Sequence, residues 1–232
     1  MNYLRASFYM LLAGLAVGQG ARDPVRYTEL SDRIFFHWAP SQDEKTFQFP
    51  PSEIVDGITA QLHDIVTTVI EREISQHNVS AASIRKSMEY VQGQYALSSL
   101  REPHPPNVPY ADIGSINETP TLLTAFAVMR GGGALPEIRA YLRFYSKVTG
   151  GWALQAELGH DFNNTMFSVA QVATQLAGEV RYLVWGRLVG NTGAMTTLRL
   201  YSFDGCSVRT LWQRDDMSAV TVSISGDRVT LD

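Results

Sequence analysis

The feature that most constrains this chain is an internal echo. Leu142-Arg143-Phe144-Tyr145-Ser146 recurs 56 residues later as Leu198-Arg199-Leu200-Tyr201-Ser202. The elements around the two copies follow one order. An apolar run precedes each (Leu122 to Met129, Tyr182 to Val189), then a glycine-bearing turn (Gly131-Gly132-Gly133, Gly190 to Gly193). After each copy come a tight turn (Gly150-Gly151, Asp204-Gly205), a third strand (Trp152 to Leu158, Ser207 to Gln213) and a fourth (Met166 to Val172, Ala219 to Ile224). The pattern therefore predicts two four-stranded antiparallel meanders, about 122–172 and 182–231. Each has the element order of a propeller blade or of half a β-sandwich. Two units are too few to close a propeller ring, so a sandwich or flattened barrel of about eight strands is the arrangement expected. The strand pattern runs up to Asp232, which leaves part of a longer array open as a reading.

Alternation assigns faces within the echo. A strand turns successive side chains to opposite sides. Ile138, Ala140, Leu142 and Phe144 thus share one face, and Arg139, Tyr141, Arg143 and Tyr145 the other. Leu142 and Leu198 are expected in the core, with Arg143 and Arg199 pointing out. Arg offers a planar donor fork and Tyr a flat ring with a hydroxyl, a pairing suited to acidic or sugar ligands. Arg143, Tyr145, Arg199 and Tyr201 are therefore the candidate ligand-binding residues. The same row is also what the solvated face of an antiparallel sheet carries.

Upstream the period changes. Ser52 is placed to cap a helix, and Ile54, Val55, Ile58, Leu62, Ile65, Val66, Val69 and Ile70 form one stripe. Ser80 to Leu100 suits a second helix with Ile84, Met88, Val91 and Tyr95 on one face, and His77-Asn78 break the two. Residues 21–51 read as an irregular lead with one strand-like run, Arg33 to Trp38. Residues 101–120 hold five prolines and read as a linker, since proline removes backbone donors. The fold class expected is α+β: residues 1–20 a signal peptide, 21–51 the lead, 52–100 a helix pair, 101–120 the linker, 121–232 the β domain.

The N-terminus supplies the expectation of export. Arg5 precedes an apolar run from Ala6 to Val17, with small residues at Ala16, Gly18 and Gly20. That run is shorter than the ~20 residues a membrane-spanning helix needs, so a cleaved secretory signal is expected. The localisation expected is secreted or periplasmic, with no integral membrane span after cleavage. The single Cys206 allows no internal disulfide.

Chemical motifs are sparse. The net charge is −4, which gives no basic face for nucleic acid. The five histidines (His37, His63, His77, His104, His160) lack metal-ligand spacings, so no metal and no cofactor is expected. Asp161-Phe162-Asn163-Asn164-Thr165 has one acidic residue where calcium loops carry several. Gly131-Gly132-Gly133 lacks the following Gly-Lys-Ser/Thr of a phosphate cradle, and no Gly-x-Ser-x-Gly elbow occurs. The reading is a non-enzymatic binding or structural module that presents a β surface to a protein or polysaccharide. The alternative is an exported hydrolase assembled from distant residues, with His160, Asp161 and Asp204 as nominees. A His–acid pair in a cleft would favour the enzyme.

Overall fold

The computed structural model describes residues 22–36, 52–93, 109–131, 137–163, 167–190, 193–218 and 220–231. The expected signal segment, His37, His104 and the glycine run 132–133 lie outside the described residues. Among the described residues the chain is mixed α+β, with three helices and mostly antiparallel sheet.

Helix α1 (Asp23–Phe36) occupies the first part of the expected irregular lead, including Arg33 to Phe36 of its strand-like run; residues 37–51 lie outside the described residues. Tyr27, Leu30, Ser31 and Ile34 recur at helical spacing and are buried, so the strand reading is corrected for Arg33 to Phe36. Its aromatic and branched residues look strand-like alone, and the partners of the stripe lie far off in sequence. Helix α2 (Ser52–Ile74) carries the expected stripe from Ile58 to Ile70, while Ile54 stays 47% exposed. In α3 (Ala81–Gln92), Ser80 caps the N-terminus by accepting a hydrogen bond from the Ser83 amide. Gly93, with φ 52°, follows its last turn.

Sheet 1 has the order β1 (Tyr110–Ile116), β2 (Thr119–Gly131), β3 (Glu137–Val148), β4 (Gly151–Asn163). Sheet 2 has the order β5 (Phe167–Val172), β6 (Val180–Gly190), β7 (Gly193–Phe203), β8 (Val208–Ser218). A separate hairpin joins β9 (Val222–Ser225) to β10 (Arg228–Leu231). Two expectations are corrected here. The proline-rich segment contains β1, because its prolines flank Tyr110–Ile116 and leave that stretch free to pair. Asn117 and Glu118, both at positive φ, then make a two-residue turn into β2. The strand expected to close the first meander is β5; it pairs with β6 and opens the second sheet. Alternation marks a strand but not its neighbour.

The layers follow from which faces touch. Arg143 on β3 reaches Glu71 on α2, whereas Phe144 packs its ring 5.2 Å from Phe203 and 6.1 Å from Tyr182. Helices thus cover one face of sheet 1, and sheet 2 covers the other. This explains β2, where every residue from Thr121 to Met129 is buried and the sequence is apolar without alternation. Buried polar groups tie the helices down: Thr59 Oγ1 donates to the Met129 carbonyl, and Gln92 Nε2 to the Ala127 carbonyl and the Tyr27 hydroxyl. The outer face of sheet 2 holds a smaller cluster, Val172, Leu183 and Leu198, against Val222, Ile224, Val229 and Leu231 of the hairpin. Fully burying a leucine or phenylalanine contributes roughly 1.5–3 kcal/mol, so sheet 1 and its two covers hold most of the fold.

The two Leu-Arg-x-Tyr-Ser segments lie on the third strand of their sheets, Leu142 opposite Ala125 and Leu198 opposite Trp185. In each sheet the next strand carries one extra residue at the same place: Gln155 against Phe144/Tyr145, and Leu211 against Leu200/Tyr201. Both bulges lie on edge strands, where they twist the edge away from further pairing.

Candidate functional site

The densest polar cluster lies beneath α2. Helical spacing puts half-buried His63 at the flank of α2 beside sheet 1, with the exposed carboxylates of Asp64 and Glu71 along the same flank. The β3–β4 register sets Arg143 opposite Glu157. His63 Nε2 is 3.2 Å from the Glu157 carboxylate and Nδ1 is 3.3 Å from Asp64. The Arg143 guanidinium bridges Glu71, at 3.1 Å, and Glu157, at 2.8 Å, and lies over the Tyr145 ring. The Tyr141 ring lies 4.4 Å from that of His63, tilted by 50°.

The electrostatics follow from this packing. Burial alone would lower the His63 pKa, but the Glu157 and Asp64 carboxylates outweigh burial and the Arg143 charge, and the net shift is upward. The hydrogen bond from His63, together with the Arg143 charge, holds Glu157 below its ordinary value against the opposing effect of burial. Burial pushes the Tyr145 hydroxyl strongly upward, so it stays neutral. Both ring nitrogens of His63 are engaged by carboxylates, and no Ser, Thr or Cys side chain among the described residues hydrogen-bonds to it. The cluster is an ion-pair clamp joining α2 to β3 and β4.

The four sequence-nominated residues are brought to two different interfaces. Arg143 and Tyr145 face the helices; Arg199 and Tyr201 face sheet 1. The expectation that Arg143 and Arg199 are outward-pointing is corrected for Arg143, whose side chain is 7% exposed, and only partly holds for Arg199, at 19%. The reason is stacking: the face that alternation assigns to the arginines is covered in both sheets. Leu142 and Leu198 are fully buried as expected. Tyr201 lies 2.5 Å from His160 Nε2, and Arg199 pairs with Asp215. Burial, followed by the Arg199 charge, lowers the His160 pKa.

The three hydrolase nominees do not converge. His160 and Asp161 are neighbours on β4 and so project to opposite faces. Asp161 pairs with Arg130 and Arg139 on the helix side. Asp204 accepts from the Cys206 and Ser207 amides and the Ser207 hydroxyl, a turn role, and these bonds hold its pKa down. Cys206 beside it is exposed. Among the described residues no group of three His, Cys, Asp or Glu side chains converges to hold a metal ion. Glu71 and Glu157 were missed in the sequence; the one available signal was that Glu157 lies across the tight Gly150-Gly151 turn from Arg143.

One cavity of about 590 Å³ opens between the β5–β6 connection and the β9–β10 turn, walled by Gln171, Thr174, Glu179, Ile224 and Gly226. Its acid is already engaged, since Glu179 accepts from Ser202 and pairs with Arg181 and Arg209. Apolar side chains are exposed elsewhere on sheet 2: Met195 at 42%, Leu211 at 41% and Trp212 at 40%. Among the described residues no helix is long and apolar enough to cross a membrane. No protein-family profile, curated protein or solved structure matches this chain.

Proposed function

We propose that the protein is an exported, non-enzymatic binding or structural module whose β-sheets act as repeated units and present an apolar surface to a protein or polysaccharide. The observation that carries the binding reading is Trp212, a large aromatic side chain 40% exposed on sheet 2, beside exposed Leu211. Exposed aromatic surface of this kind is enriched where proteins meet partners.

The repeat reading is supported by the strand order, by the matched bulges and by the sense of stacking. The Arg-x-Tyr face of sheet 1 looks toward the helices, and that of sheet 2 looks the same way, toward sheet 1. Like faces therefore do not meet, as they would in a two-fold sandwich; the sheets stack head to tail, as propeller blades do.

Export is tested by sequencing the N-terminus of the mature protein, expected to begin between Gln19 and Asp23; an intact Met1 in the exported fraction overturns it. The binding surface is tested by hydroxyl-radical footprinting of the purified protein and of the same protein in the exported fraction of its producing cells. Trp212 and Leu211 should react when purified and be protected in the native fraction. Equal labelling in both overturns the reading.

A further inference from the structure

One end of sheet 1, where β2 and β4 finish and β3 begins, gathers two arginines around one acid on a chain whose net charge is −4. In β2, Met129 is opposite Ile138 and Gly131 is opposite Glu137, so Arg130 is the extra residue of a bulge. Bulges re-aim a side chain and recur beside functional sites. Arg130 Nη1 reaches past β3 to the Asp161 carboxylate on β4, at 2.5 Å. Arg139 on β3 is the register partner of Asp161, and its Nε lies 3.6 Å from the same carboxylate. The Arg139 guanidinium sits 5.8 Å from the centre of the Tyr141 ring. It also lies against β4 at Gly159, where a Cβ would come within 3.1 Å of Arg139 Nε. The absence of a side chain at Gly159 is what lets the fork lie there.

Counting charges shows what is left to bind. Two guanidinium groups share the single Asp161 carboxylate, and their side chains remain 33% and 37% exposed. Neighbouring acids do not make up the difference. Glu157 is held by His63 and Arg143, and Glu137 is exposed and forms no ion pair among the described residues. Arg139 Nε is itself buried without a hydrogen-bond partner. The half-buried Tyr141 engages its neighbours through its ring, and its hydroxyl makes no hydrogen bond among the described residues.

We infer that Arg130, Arg139, Tyr141 and Asp161 form a binding site for a hydroxylated carboxylate, the chemistry of a sugar acid. A guanidinium fork matches a carboxylate in shape and charge, and one entering carboxylate balances two arginines against two acids. Asp161 then selects what surrounds that carboxylate. It accepts hydrogen bonds from hydroxyl groups and repels a second anionic group close by, so a dense polyanion fits poorly. The Tyr141 hydroxyl supplies a donor for a ring or hydroxyl oxygen. A neutral sugar leaves the second arginine without its counter-charge. This site lies on sheet 1 and does not depend on the Trp212 surface of sheet 2.

The test is calorimetric titration of the full chain with the trimers of galacturonate and glucuronate. At least one should bind saturably with a Kd of about 1 mM or tighter, and neutral galactotriose should not bind. Arg139→Gln and Arg130→Gln should each weaken binding by about tenfold or more at an unchanged Tm, as loss of a hydrogen bond to a charged group does. Gly159→Ala should weaken it as well, because the added methyl displaces the Arg139 fork. Arg209→Gln, which alters an exposed arginine on sheet 2, should leave it unchanged. A monomeric sugar acid that binds as tightly as its trimer assigns the site to the free acid, and tighter binding of the trimer assigns it to a polysaccharide. Failure of both acidic trimers, equal binding of galactotriose, unchanged affinity in Arg139→Gln and Arg130→Gln, or an equal loss in Arg209→Gln each overturns the inference. A tetraglutamate peptide that binds as tightly as the trimers also overturns it, and gives the arginines to an acidic protein segment.

Discussion

Arg143 and Arg199 hold the same place in their sheets, yet Arg143 is 7% exposed between two carboxylates and Arg199 is 19% exposed beside one. Sheet 1 is a middle layer, with helices on one face and sheet 2 on the other. Sheet 2 has sheet 1 on one face and a four-residue-strand hairpin on part of the other. A pentapeptide decides its strand and its two faces. How deeply those faces are buried is decided by what is stacked on them. The buried Arg143 is tolerated because Glu71 and Glu157 meet its charge, and because those acids keep part of their surface in water.

The largest test of this contrast is in the leucines. Leu142→Ala and Leu198→Ala should each cost roughly 2–5 kcal/mol, the range for emptying a buried leucine site. Leu142 should fall near the top, since a rigid layer on either side cannot collapse into the gap. Leu198 should fall near the bottom, under a small hairpin that can settle. Urea unfolding measures both, and a larger loss at Leu198 would reverse the assignment of middle and outer layers.

The arginines come next. Arg143→Ala should cost about 1–3 kcal/mol, because it strips charge-assisted contacts from two carboxylates and leaves space under α2. Arg199→Ala removes one pair whose acid is 55% exposed, and should cost about 1 kcal/mol or less. Equal losses would mean that the helix layer adds nothing to the burial of the Arg143 row.

The two histidines give a smaller effect with opposite signs. The pKa of His63 is raised above 6.5, so its contribution is fully present below that value and is lost as pH rises through the folded pKa. The pKa of His160 is lowered, so its contribution is present above 6.5 and is lost as pH falls through the folded pKa. Thermal unfolding between about pH 5 and 8 should show His63→Gln most damaging at the acid end and His160→Gln at the neutral end. Parallel pH profiles for the two variants would contradict these surroundings. The smallest effect belongs to Cys206→Ser, an exposed turn position, expected within about ±0.5 kcal/mol by the same measurement.

Much of the β region was legible because alternation is a local property. The faces of Ile138 to Tyr145 and the burial of Leu142 and Leu198 follow from a period of two, and the turns at Gly150 and Gly205 from the glycines themselves. Both of those glycines sit at φ above 90°, where a side chain would be strained. Strand β1 was hidden by the prolines around it, and α1 by a run of aromatic and branched residues whose helical stripe has no partner nearby in sequence. The candidate site was the least legible part. His63, Glu71, Arg143 and Glu157 come from one helix and two strands, and no spacing between them is constrained by chemistry.

Read alone, the chain carried the mixed α+β class, an antiparallel β-rich half and the inward leucines, since these depend on neighbours within a few residues. Three things needed the tertiary structure: that β5 opens the second sheet rather than closing the first, that both arginine faces are covered, and that Trp212 is left bare. The physical reason is the same for each. Hydrogen-bond edges and apolar faces are available on every strand, and which of them meet is settled by packing between layers far apart in sequence.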